Sequence, residues 1–431
     1  MSAEVLISLV GGLVILLAIG VPIAWSMLGA SILCIVVVGD IPFSMVAQRV
    51  FVGANVFALL AIPAFILAGD LMTKGGVSER LVSFSRRLVG RSRGGLTYVS
   101  LITSAFFAAI SGSSPATTAA VGSIMQPEMD KEGYPADFTA AVQAVGGTLG
   151  IVIPPSISFV IYGNVTGIST ARLLASGVIP GALACLALCA YAFITSRRNN
   201  FPAGRIYSIK EKWQSFLAAL GGLIMPVIIL GGIYTGAFTP TESAVVAAFY
   251  GLFAGFILYR ELDFKGLVNV LAKSSITISN IMIIVACAML YNYLLTYYRI
   301  TTAITDGMLN IADTQAKFFV LVVILLFIVG MFMDVTASIL VLAPILAPAA
   351  NMLGIDPIHF GFVFVFMMSI GLATPPFGLC MYVAANISGQ PVINVAKRIL
   401  PMTAVQLACA ALFIIVPQFA TWLPSIIDIG R

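Results

Sequence analysis

The polar stretch Ser111-Gly112-Ser113-Ser114-Pro115-Ala116-Thr117-Thr118 interrupts an otherwise apolar part of the chain, and Gly150-Ile151-Val152-Ile153-Pro154-Pro155 follows it. About 220 residues later the pattern recurs as Met333-Asp334-Val335-Thr336-Ala337-Ser338, followed by Gly371-Leu372-Ala373-Thr374-Pro375-Pro376. Broken helical segments in corresponding positions of two halves are the best sequence pointer to the binding site of a membrane transporter. The sequence therefore predicts an internal repeat, with one polar break and one Pro-Pro break in each copy.

The composition sets the class of protein around these breaks. Hydrophobic residues make up 60% of the 431 residues and charged residues only 9%, whereas about a quarter of a soluble globular domain is charged. At about 20 residues per crossing, the chain has room for roughly a dozen membrane elements and none for a sizeable soluble domain. We predict an all-α polytopic protein whose surroundings are the lipid bilayer. Its net charge of +5 lies in short basic clusters between apolar runs, so no nucleic-acid partner is expected.

Cysteine and histidine usage narrows the chemistry further. The six cysteines form no CxxC or metal-ligand pattern, and His359 is the only histidine, which leaves little for a zinc site or a Ser-His relay. One remote alternative is an intramembrane enzyme with Ser111 or Ser113 as nucleophile and Asp334 as acid. It is disfavoured because the sequence contains no Gly-x-Ser-x-Gly motif and no nearby His or Lys base.

The basic loops between the spans, among them 197–212, 260–273 and Lys397-Arg398, predict the orientation in the membrane, because Lys and Arg are enriched in cytoplasmic segments. Residues 74–95 carry Leu81, Phe84 and Leu88 at helical spacing with arginines opposite, which is typical of an amphipathic interfacial helix. Every basic cluster falls in the cytoplasm only if residues 96–131 form a hairpin that enters and leaves on that side. By the same reasoning residues 317–352 form a hairpin from the outside, and both termini are periplasmic. The two halves are then an inverted-topology repeat.

This topology predicts five segments. They are scaffold helices and an interfacial arm in 1–95; a first transport repeat in 96–170, with hairpin 96–131 and broken helix 136–162; scaffold helices and a second arm in 171–316; a second transport repeat in 317–390, with hairpin 317–352 and broken helix 357–388; and a C-terminal arm and helix in 391–431.

The breaks free backbone oxygens at membrane depth, where non-helical backbone survives only inside protein or along a wet cavity. Proline strands the carbonyl one turn earlier, and an all-oxygen shell suits a weakly held monovalent cation such as sodium. We predict one site joining the Ser111–Ser114 tip to Gly150, Ile153 and Pro155. A symmetric site would join 332–336 to Gly371, Thr374 and Pro376. The competing interpretation is that these motifs only bend their helices.

Four ionisable side chains bear on the site. Asp334 lies deep in an apolar segment, where an ionisable group is by default functional, although it could instead fix the hairpin tip by hydrogen bonding. Glu242 is expected to cap a helix start with Thr239 or Thr241. Asp70 lies near the end of a span, and Arg299 either anchors the chain at the membrane boundary or reaches inward to a carboxylate.

Taken together, the motifs resemble the large membrane subunit of the tripartite ATP-independent periplasmic (TRAP) transporters, the DctM or SiaM type. The resemblance covers essentially the whole chain and rests on the motifs beginning at Gly20, Ser111, Ile153, Phe238, Met333 and Ala373. It implies sodium-coupled uptake of an organic acid, such as a C4-dicarboxylate or sialic acid. The movement it implies is that of an elevator, in which the hairpins and broken helices slide against a scaffold.

The resemblance also implies partners, a location and a set of site residues. The partners are a small four-helix membrane subunit, here expected to be a separate chain, and a soluble periplasmic substrate-binding protein, in the bacterial inner membrane. Sodium is the coupling ion, and no organic cofactor is implied. The implied sodium sites fall on Ser111, Ser113, Gly150, Ile153 and Pro155, and on Phe332, Asp334, Thr336, Gly371 and Thr374. The implied substrate contacts are Ser114, Asp334 and Arg299. The nearest alternative, a standalone sodium-dicarboxylate or citrate-type carrier, usually has Ser-Asn-Thr at both tips, which this sequence lacks.

Overall fold

A computed structural model describes residues 3–89, 92–203 and 205–427. The described residues form helices and no strand, and the one isolated β-bridge joins Arg93 to Ala203. Eight of the described helices are long and apolar enough to cross a membrane. The chain is therefore the all-α polytopic protein that its composition predicts. Gly90 and Arg91 of the predicted interfacial segment lie outside the described residues, as do the two ends of the chain.

The helices alternate between long spans and short segments that end at polar or proline-containing breaks. In chain order they are Ala3–Val5, Leu6–Gly11 (π), Gly12–Ala18, Ile23–Val38, Ser44–Ala54, Phe57–Leu60 (3₁₀), Ala61–Lys74, Val77–Val89, Gly95–Ser111, Ser114–Lys131, Ala136–Thr148, Leu149–Ile151 (3₁₀), Ile157–Thr166, Thr170–Ser176, Val178–Arg198, Ile209–Tyr234, Pro240–Phe253, Ala254–Leu258 (π), Phe264–Tyr297, Ile300–Ile311, Gln315–Phe332, Val335–Met352, Pro357–Gly371, Leu379–Ser388, Val392–Ile415 and Gln418–Ile426.

Two helical hairpins carry the polar breaks. In the first hairpin, Gly95–Ser111 ends because Gly112 adopts a left-handed conformation (φ +61°), and Ser114–Lys131 starts with Pro115 in its first turn. In the second hairpin, Gln315–Phe332 ends at the extended Met333, and the Asp334 side chain caps Val335–Met352. We call the turns 111–114 and 332–336 the first and second tips.

Two broken helices follow the hairpins. The first consists of Ala136–Thr148 and Ile157–Thr166, and the second of Pro357–Gly371 and Leu379–Ser388. Both Pro-Pro peptide bonds, Pro154-Pro155 and Pro375-Pro376, are cis. The residues of the two copies keep one constant offset: Ser113 and Asp334, Gly150 and Gly371, and Pro155 and Pro376 are each 221 positions apart. The repeat predicted from the motifs therefore extends to the arrangement of the helices.

The first halves of the two broken helices form the centre of the bundle. Every residue of 138–148 and of 358–371 is buried, which is the pattern of a helix surrounded by protein on all sides. Phe360, Phe362, Phe364 and Phe366 are all less than 2% exposed. The first break is buried with them, apart from the partly buried Ile153, and backbone without helical partners is tolerated inside protein. In the second break, Pro376 and Phe377 are exposed.

A separate wall of helices faces the tips. Ala61–Lys74 packs against Pro240–Phe253, and the long helix Phe264–Tyr297 packs against Ala61–Lys74, Ser44–Ala54 and Ile23–Val38. We call Ala61–Lys74 and Phe264–Tyr297 the scaffold wall.

An amphipathic arm, Val77–Val89, links this wall to the first hairpin. Its Arg80 pairs with Glu261 (2.7 Å), and its Arg86 pairs with Glu128 (2.7 Å) and Glu132 (2.9 Å) of the hairpin. Arg80 thus links the arm to the segment just before Phe264–Tyr297, and Arg86 links it to the first hairpin.

One local feature differs from the sequence prediction. The basic segment 260–273, expected as a loop, is helical from Phe264 onward, because the Asp263 side chain accepts a hydrogen bond from Gly266 N (2.7 Å) and caps the helix. In the arm, Leu81 is buried, Phe84 is partly buried and Leu88 is exposed, which is compatible with the amphipathic interfacial helix that the sequence predicts.

Candidate functional site

A cavity of about 500 Å³ lies between the two tips and the scaffold wall. Of the residues predicted from sequence, Ser111, Ser113, Asp334 and Thr336 line it. The other polar residues on its surface, most of them on the scaffold wall, are Asp70, Thr73, Ser158, Lys273, Thr277 and Asn280. Both tips therefore contribute to one cavity, although 221 residues separate them in the sequence.

The first tip is ordered by its own hydroxyl groups. Thr117 Oγ1 donates to the Ser113 carbonyl (2.8 Å), and Ser111 Oγ lies 2.9 Å from Thr117 Oγ1 and 3.3 Å from the same carbonyl. The Ser113 carbonyl also accepts from Thr117 N (3.0 Å). Hydroxyl and carbonyl oxygens therefore converge at this turn, which is the kind of donor set that a sodium ion needs.

The first tip packs directly on the first Pro-Pro break. Ile157 N donates to the Gly112 carbonyl (3.4 Å), and a Cβ on Gly150 would lie only 2.5 Å from the Ser113 carbonyl oxygen. Gly150 and Pro155 are thus brought against the tip backbone, as the sequence predicts. The Ile153 side chain points away, toward Gly181 of the helix Val178–Arg198, so only its backbone is available to this site.

Several carbonyls of the first Pro-Pro break lack the donor that a continuous helix would supply. Pro154 and Pro155 have no N–H, so Gly150 and Ile151 lose the donors that a continuous helix would supply. Ser156 Oγ replaces the missing donor at Ile151 (2.6 Å). Among the described residues, none donates to the carbonyls of Ile153 or Pro155, which leaves these oxygens free to contact a cation.

The second tip repeats this local geometry with a carboxylate added. Ser338 N and Ser338 Oγ donate to the Asp334 carbonyl at 3.0 Å and 2.9 Å, as Thr117 does at Ser113. Asp334 Oδ1 accepts from Thr336 N (2.8 Å), and Asp334 also lines the cavity. Asp334 therefore both caps the helix and presents a charge to the cavity, so the two interpretations drawn from the sequence are compatible.

The second Pro-Pro break also packs against its hairpin. A Cβ on Gly371 would lie 2.5 Å from the Gly330 carbonyl carbon, and Phe377 N donates to the Met331 carbonyl (3.2 Å). The Gly371 carbonyl accepts from Thr374 N (2.9 Å), and Thr374 Oγ1 donates to the Ile370 carbonyl (2.7 Å). The break is thus more fully bonded within itself than the first one.

The predicted residues that do not line the cavity are Gly150, Ile153, Pro155, Gly371, Thr374 and Pro376 of the two breaks, together with Ser114, Phe332 and Arg299. Ser114 is buried and donates to the Thr148 carbonyl (3.2 Å), which ties the hairpin to the first broken helix. Phe332 is 58% exposed, and its ring packs against Phe377. Arg299 is exposed at the start of Ile300–Ile311, with a left-handed backbone (φ +55°). In this conformation the structure does not bring Ser114 or Arg299 to the cavity, so their proposed substrate contacts stay predictions.

The scaffold wall adds residues that the sequence analysis did not assign. Lys273, Thr277 and Asn280 recur at i, i+4 and i+7, which places them on one face of the long helix. Lys273 is the only basic residue on the cavity surface in the described part of the chain. The helical spacing of these three polar residues was the available signal, but it was missed because Lys273 was assigned to a loop.

Two acidic residues considered from the sequence have defined partners. Asp70 lines the cavity, and its Oδ2 accepts from Ser274 Oγ (2.7 Å). Glu242 forms a capping box with Thr239: Thr239 N donates to Glu242 Oε2 (2.8 Å), and Glu242 N donates to Thr239 Oγ1 (3.2 Å). The capping role predicted for Glu242 is confirmed, whereas Asp70 belongs to the cavity.

A solved structure has a similar fold. The crystal structure of the Alcanivorax borkumensis YdaH transporter, described as revealing an unusual topology, is similar to this chain with a TM-score of 0.64. The match covers 90% of each chain at 14% sequence identity. At that identity the likeness concerns the fold alone.

Sequence comparisons identify the family. The C4-dicarboxylate TRAP transporter large permease protein DctM of Vibrio cholerae is 39% identical, covering 99% of this chain and 98% of that protein. The isethionate TRAP transporter permease protein DctMQ of Oleidesulfovibrio alaskensis is 37% identical, covering 95% of this chain and 65% of that protein. The family model described as "Tripartite ATP-independent periplasmic transporter, DctM component" matches residues 10–419. The chain therefore belongs to the DctM family of large permease components of tripartite ATP-independent periplasmic transporters.

Proposed function

We propose that this chain is the carrier subunit for sodium-coupled uptake of an organic acid into a bacterial cell. The observation that carries the proposal is the shared cavity, in which the oxygen-rich tips of both hairpins face a scaffold lysine. Membership of a transporter family makes transport, rather than catalysis, the activity of the chain. Beyond family membership, the proposal adds that sodium is the coupling ion and that transport is directed into the cell.

Sodium ions are proposed as co-transported substrates at the two tips. The first site uses oxygens of Ser111, Ser113, Gly150, Ile153 and Pro155, and the second uses those of Phe332, Asp334, Thr336, Gly371 and Thr374. Open carbonyls at the first break and the Asp334 carboxylate at the second tip support this assignment. These donors are backbone carbonyls, hydroxyl groups and one carboxylate, and such an oxygen set suits an exchangeable monovalent cation.

The organic acid is proposed to bind between the tips and the scaffold wall. Sodium at the tips would neutralise the Asp334 carboxylate, so that the substrate anion meets a region without net negative charge. On the opposite wall, the ammonium group of Lys273 has no acidic side chain within ion-pair distance in the described residues. It is therefore available to the carboxylate, with Thr277 and Asn280 as hydrogen-bonding neighbours.

The proposed movement is that of an elevator. The hairpins and broken helices travel together, because each tip packs backbone-to-backbone on its own Pro-Pro break. The scaffold wall contacts them through fewer close approaches, one of which joins Gly69 to Ser111. The amphipathic arm Val77–Val89, tied to both sides by Arg80 and Arg86, is suited to follow such a movement.

The family indicates which partners the chain has and in which membrane it lies. A tripartite system contains a periplasmic binding protein and a small membrane subunit. The isethionate relative is named as a combined DctMQ permease. The proposed location is the inner membrane with both termini on the periplasmic side, which the distribution of basic segments supports.

Reconstitution tests the proposal. The three components would be incorporated into vesicles, and the acid that copurifies with the binding protein would be identified by mass spectrometry and supplied in labelled form. Uptake is expected to need an inward sodium gradient and to fall to background when potassium replaces sodium. Uptake at the full rate in potassium would contradict sodium coupling. Uptake without the binding protein would instead favour a standalone carrier.

A further inference from the structure

A second cavity, of about 320 Å³, lies far from the tips where two spans end. It opens between Val178–Arg198 and Val392–Ile415, beside the start of Ala136–Thr148. Its lining residues are Pro135, Phe138, Tyr191, Thr195, Asn199, Phe201, Lys397, Arg398 and Pro401. None of these residues takes part in the cavity between the tips.

Two basic side chains of this cavity have unused hydrogen-bonding capacity. Arg398 Nε donates to Asp137 Oδ2 (2.8 Å), so its two terminal NH₂ groups are not needed for that pair. Lys397 has no acidic partner within ion-pair distance in the described part of the chain. Lys397 and Arg398 are adjacent in the sequence, and Asp137 pairs with Arg398 alone, so one of the two positive charges is uncompensated. That charge suits an anion with several acceptor oxygens.

The remaining walls give the cavity a fixed shape. Phe201 packs on Tyr134 (ring centroids 4.8 Å apart) and on Phe138 (5.1 Å), which closes the inner side. Asn199 Nδ2 donates to the Thr195 carbonyl (3.0 Å), which holds the end of Val178–Arg198 in place. The Gly94 N–H donates to the Pro202 carbonyl (2.9 Å), so the segment after that helix is docked on the first hairpin.

Apolar side chains that face the bilayer continue from the mouth of the cavity. Ile393, Lys397 and Leu400 recur at i, i+4 and i+7 on Val392–Ile415, so the lysine lies between two apolar residues that are 63% and 53% exposed. On the facing helix, Phe193 and Ile194 are also exposed, and Arg197 stacks over the Phe193 ring at 4.2 Å. An anion bound here would thus have hydrocarbon-facing surface directly beside it.

We propose that this cavity binds the phosphodiester headgroup of an anionic phospholipid, with the acyl chains lying along Phe193, Ile194, Ile393 and Leu400. Basic pockets between membrane helices on the cytoplasmic side are suited to such headgroups. The same phosphate chemistry is offered by free inorganic phosphate. The adjoining apolar surface favours the lipid, because a free anion gains nothing from it. The bound lipid joins three helices and stabilises the end of the bundle where they meet.

The test uses the full-length chain purified in detergent. Native mass spectrometry would count bound phosphatidylglycerol and, separately, zwitterionic phosphatidylcholine of the same chain length. Thermal unfolding would be measured in two sets of samples, one with phosphatidylglycerol and the other with inorganic phosphate. Phosphatidylglycerol is expected to bind and to raise the unfolding temperature, whereas phosphatidylcholine and inorganic phosphate are expected to do neither. Equal stabilisation by inorganic phosphate would overturn the lipid assignment.

The variant Lys397→Gln separates the cavity from the general positive charge of this side of the protein. Replacing Lys397 breaks no ion pair among the described residues, so the fold is expected to survive. The affinity for phosphatidylglycerol should fall about fivefold. Lys397→Gln/Arg398→Gln should lower it further. The double variant Lys210→Gln/Lys212→Gln removes the same charge from exposed positions and is expected to bind like the parent. If Lys397→Gln retained the parent's affinity, or if both double variants lost affinity equally, the inference would be wrong.

Discussion

Asp334 performs two tasks that a single substitution can separate. Its Oδ1 accepts from Thr336 N and caps Val335–Met352, while the carboxylate charge faces the cavity. Asp334→Asn preserves a good capping residue and removes the charge, whereas Asp334→Ala removes both. In the proposed function the charge serves sodium binding, whereas the cap serves stability.

We expect Asp334→Asn to raise the sodium concentration for half-maximal uptake by about tenfold or more, because a hydrogen bond or contact to a charged group is worth about 1.5–3 kcal/mol. Its unfolding temperature should stay close to that of the parent, and Asp334→Ala should in addition lose about 1 kcal/mol of stability with the cap. Sodium titrations of uptake and thermal unfolding in detergent measure the two effects. Asp313→Asn, at an exposed pair with Lys317, serves as the control. Unchanged sodium dependence in Asp334→Asn would remove this residue from the site.

Lys273 is expected to contact the substrate anion rather than sodium. Lys273→Gln should raise the KM for the organic acid about tenfold, because a charge-assisted contact of roughly 1.5–3 kcal/mol is lost. The sodium dependence should change little, since the tips keep their oxygens. Uptake kinetics at saturating sodium measure the effect, and Lys265→Gln on the same helix removes an equal charge outside the cavity. An equal rise of KM in both variants would show a general charge effect instead.

The sequence predicted the residues of the tips better than those of the opposite wall. Ser111, Ser113, Asp334 and Thr336 were identified because polar residues inside apolar sequence are costly. Lys273 was assigned to a basic cytoplasmic loop, because the sequence did not reveal that its helix already begins at Phe264, after the Asp263 cap. Ser114 was grouped with its polar neighbours, but the helix that it begins turns its hydroxyl toward Thr148.

Among the helices and their breaks, close backbone contact joins each tip to its Pro-Pro break. Gly150→Ala would place a methyl group 2.5 Å from the Ser113 carbonyl oxygen and 2.7 Å from Ser113 C. Both neighbours are backbone atoms, so the tip must move to make room, at a typical overpacking cost of about 1–3 kcal/mol. We expect at least about a tenfold weaker apparent affinity for sodium, measured as the concentration for half-maximal uptake.

Gly231→Ala is the matched control for this prediction. Gly231 lies inside the helix Ile209–Tyr234, and a Cβ there meets nothing within 4 Å. Because alanine is the better helix former, that variant should be neutral or stabilised by about 0.5–1 kcal/mol, with normal sodium dependence. If Gly150→Ala behaved like Gly231→Ala, contact between the tip and the break would not be needed for sodium binding.

The order and type of the helices followed from local signals, while their contacts did not. Gly112, Pro115 and the Pro-Pro pairs mark helix ends because of backbone sterics, and those effects act within a few residues. The packing of Gly150 on Ser113 depends on two segments meeting in space. The equal spacing of the polar break and the Pro-Pro break in both copies suggested that the two segments meet, but only the structure shows which atoms are in contact.

For the whole molecule, the repeat and the charge distribution predicted the architecture. The constant offset of 221 positions between the copies relates the two hairpins and the two broken helices. The amphipathic arm is linked to both sides by Arg80 and Arg86. The cavity at the end of Val178–Arg198 could not be predicted, because its residues come from three separate parts of the chain.

The elevator movement makes a prediction about one contact between the hairpins and the scaffold wall. A Cβ on Gly69 would lie 3.6 Å from the Ser111 Cβ, and disulfides join residues whose Cβ atoms are about 3.5–4.5 Å apart. In a background without the six native cysteines, Gly69→Cys/Ser111→Cys is therefore expected to cross-link on mild oxidation. The yield measured on gels without reductant should be high in the conformation described here. It should fall when bound sodium and substrate favour the other position of the tip.

Transport by the cross-linked protein decides whether the tip must move against the wall. Oxidation should stop the uptake that the reduced double variant retains, and reduction should restore it, because a tip fixed to Gly69 cannot carry its site past the scaffold. The single variant Ser111→Cys, treated with the same oxidant, reports any direct effect of the substitution on the sodium site. If complete cross-linking left sodium-dependent uptake at the rate of the reduced protein, Ser111 would not move relative to Gly69. The substrate would then cross by a local opening of the tips rather than by an elevator.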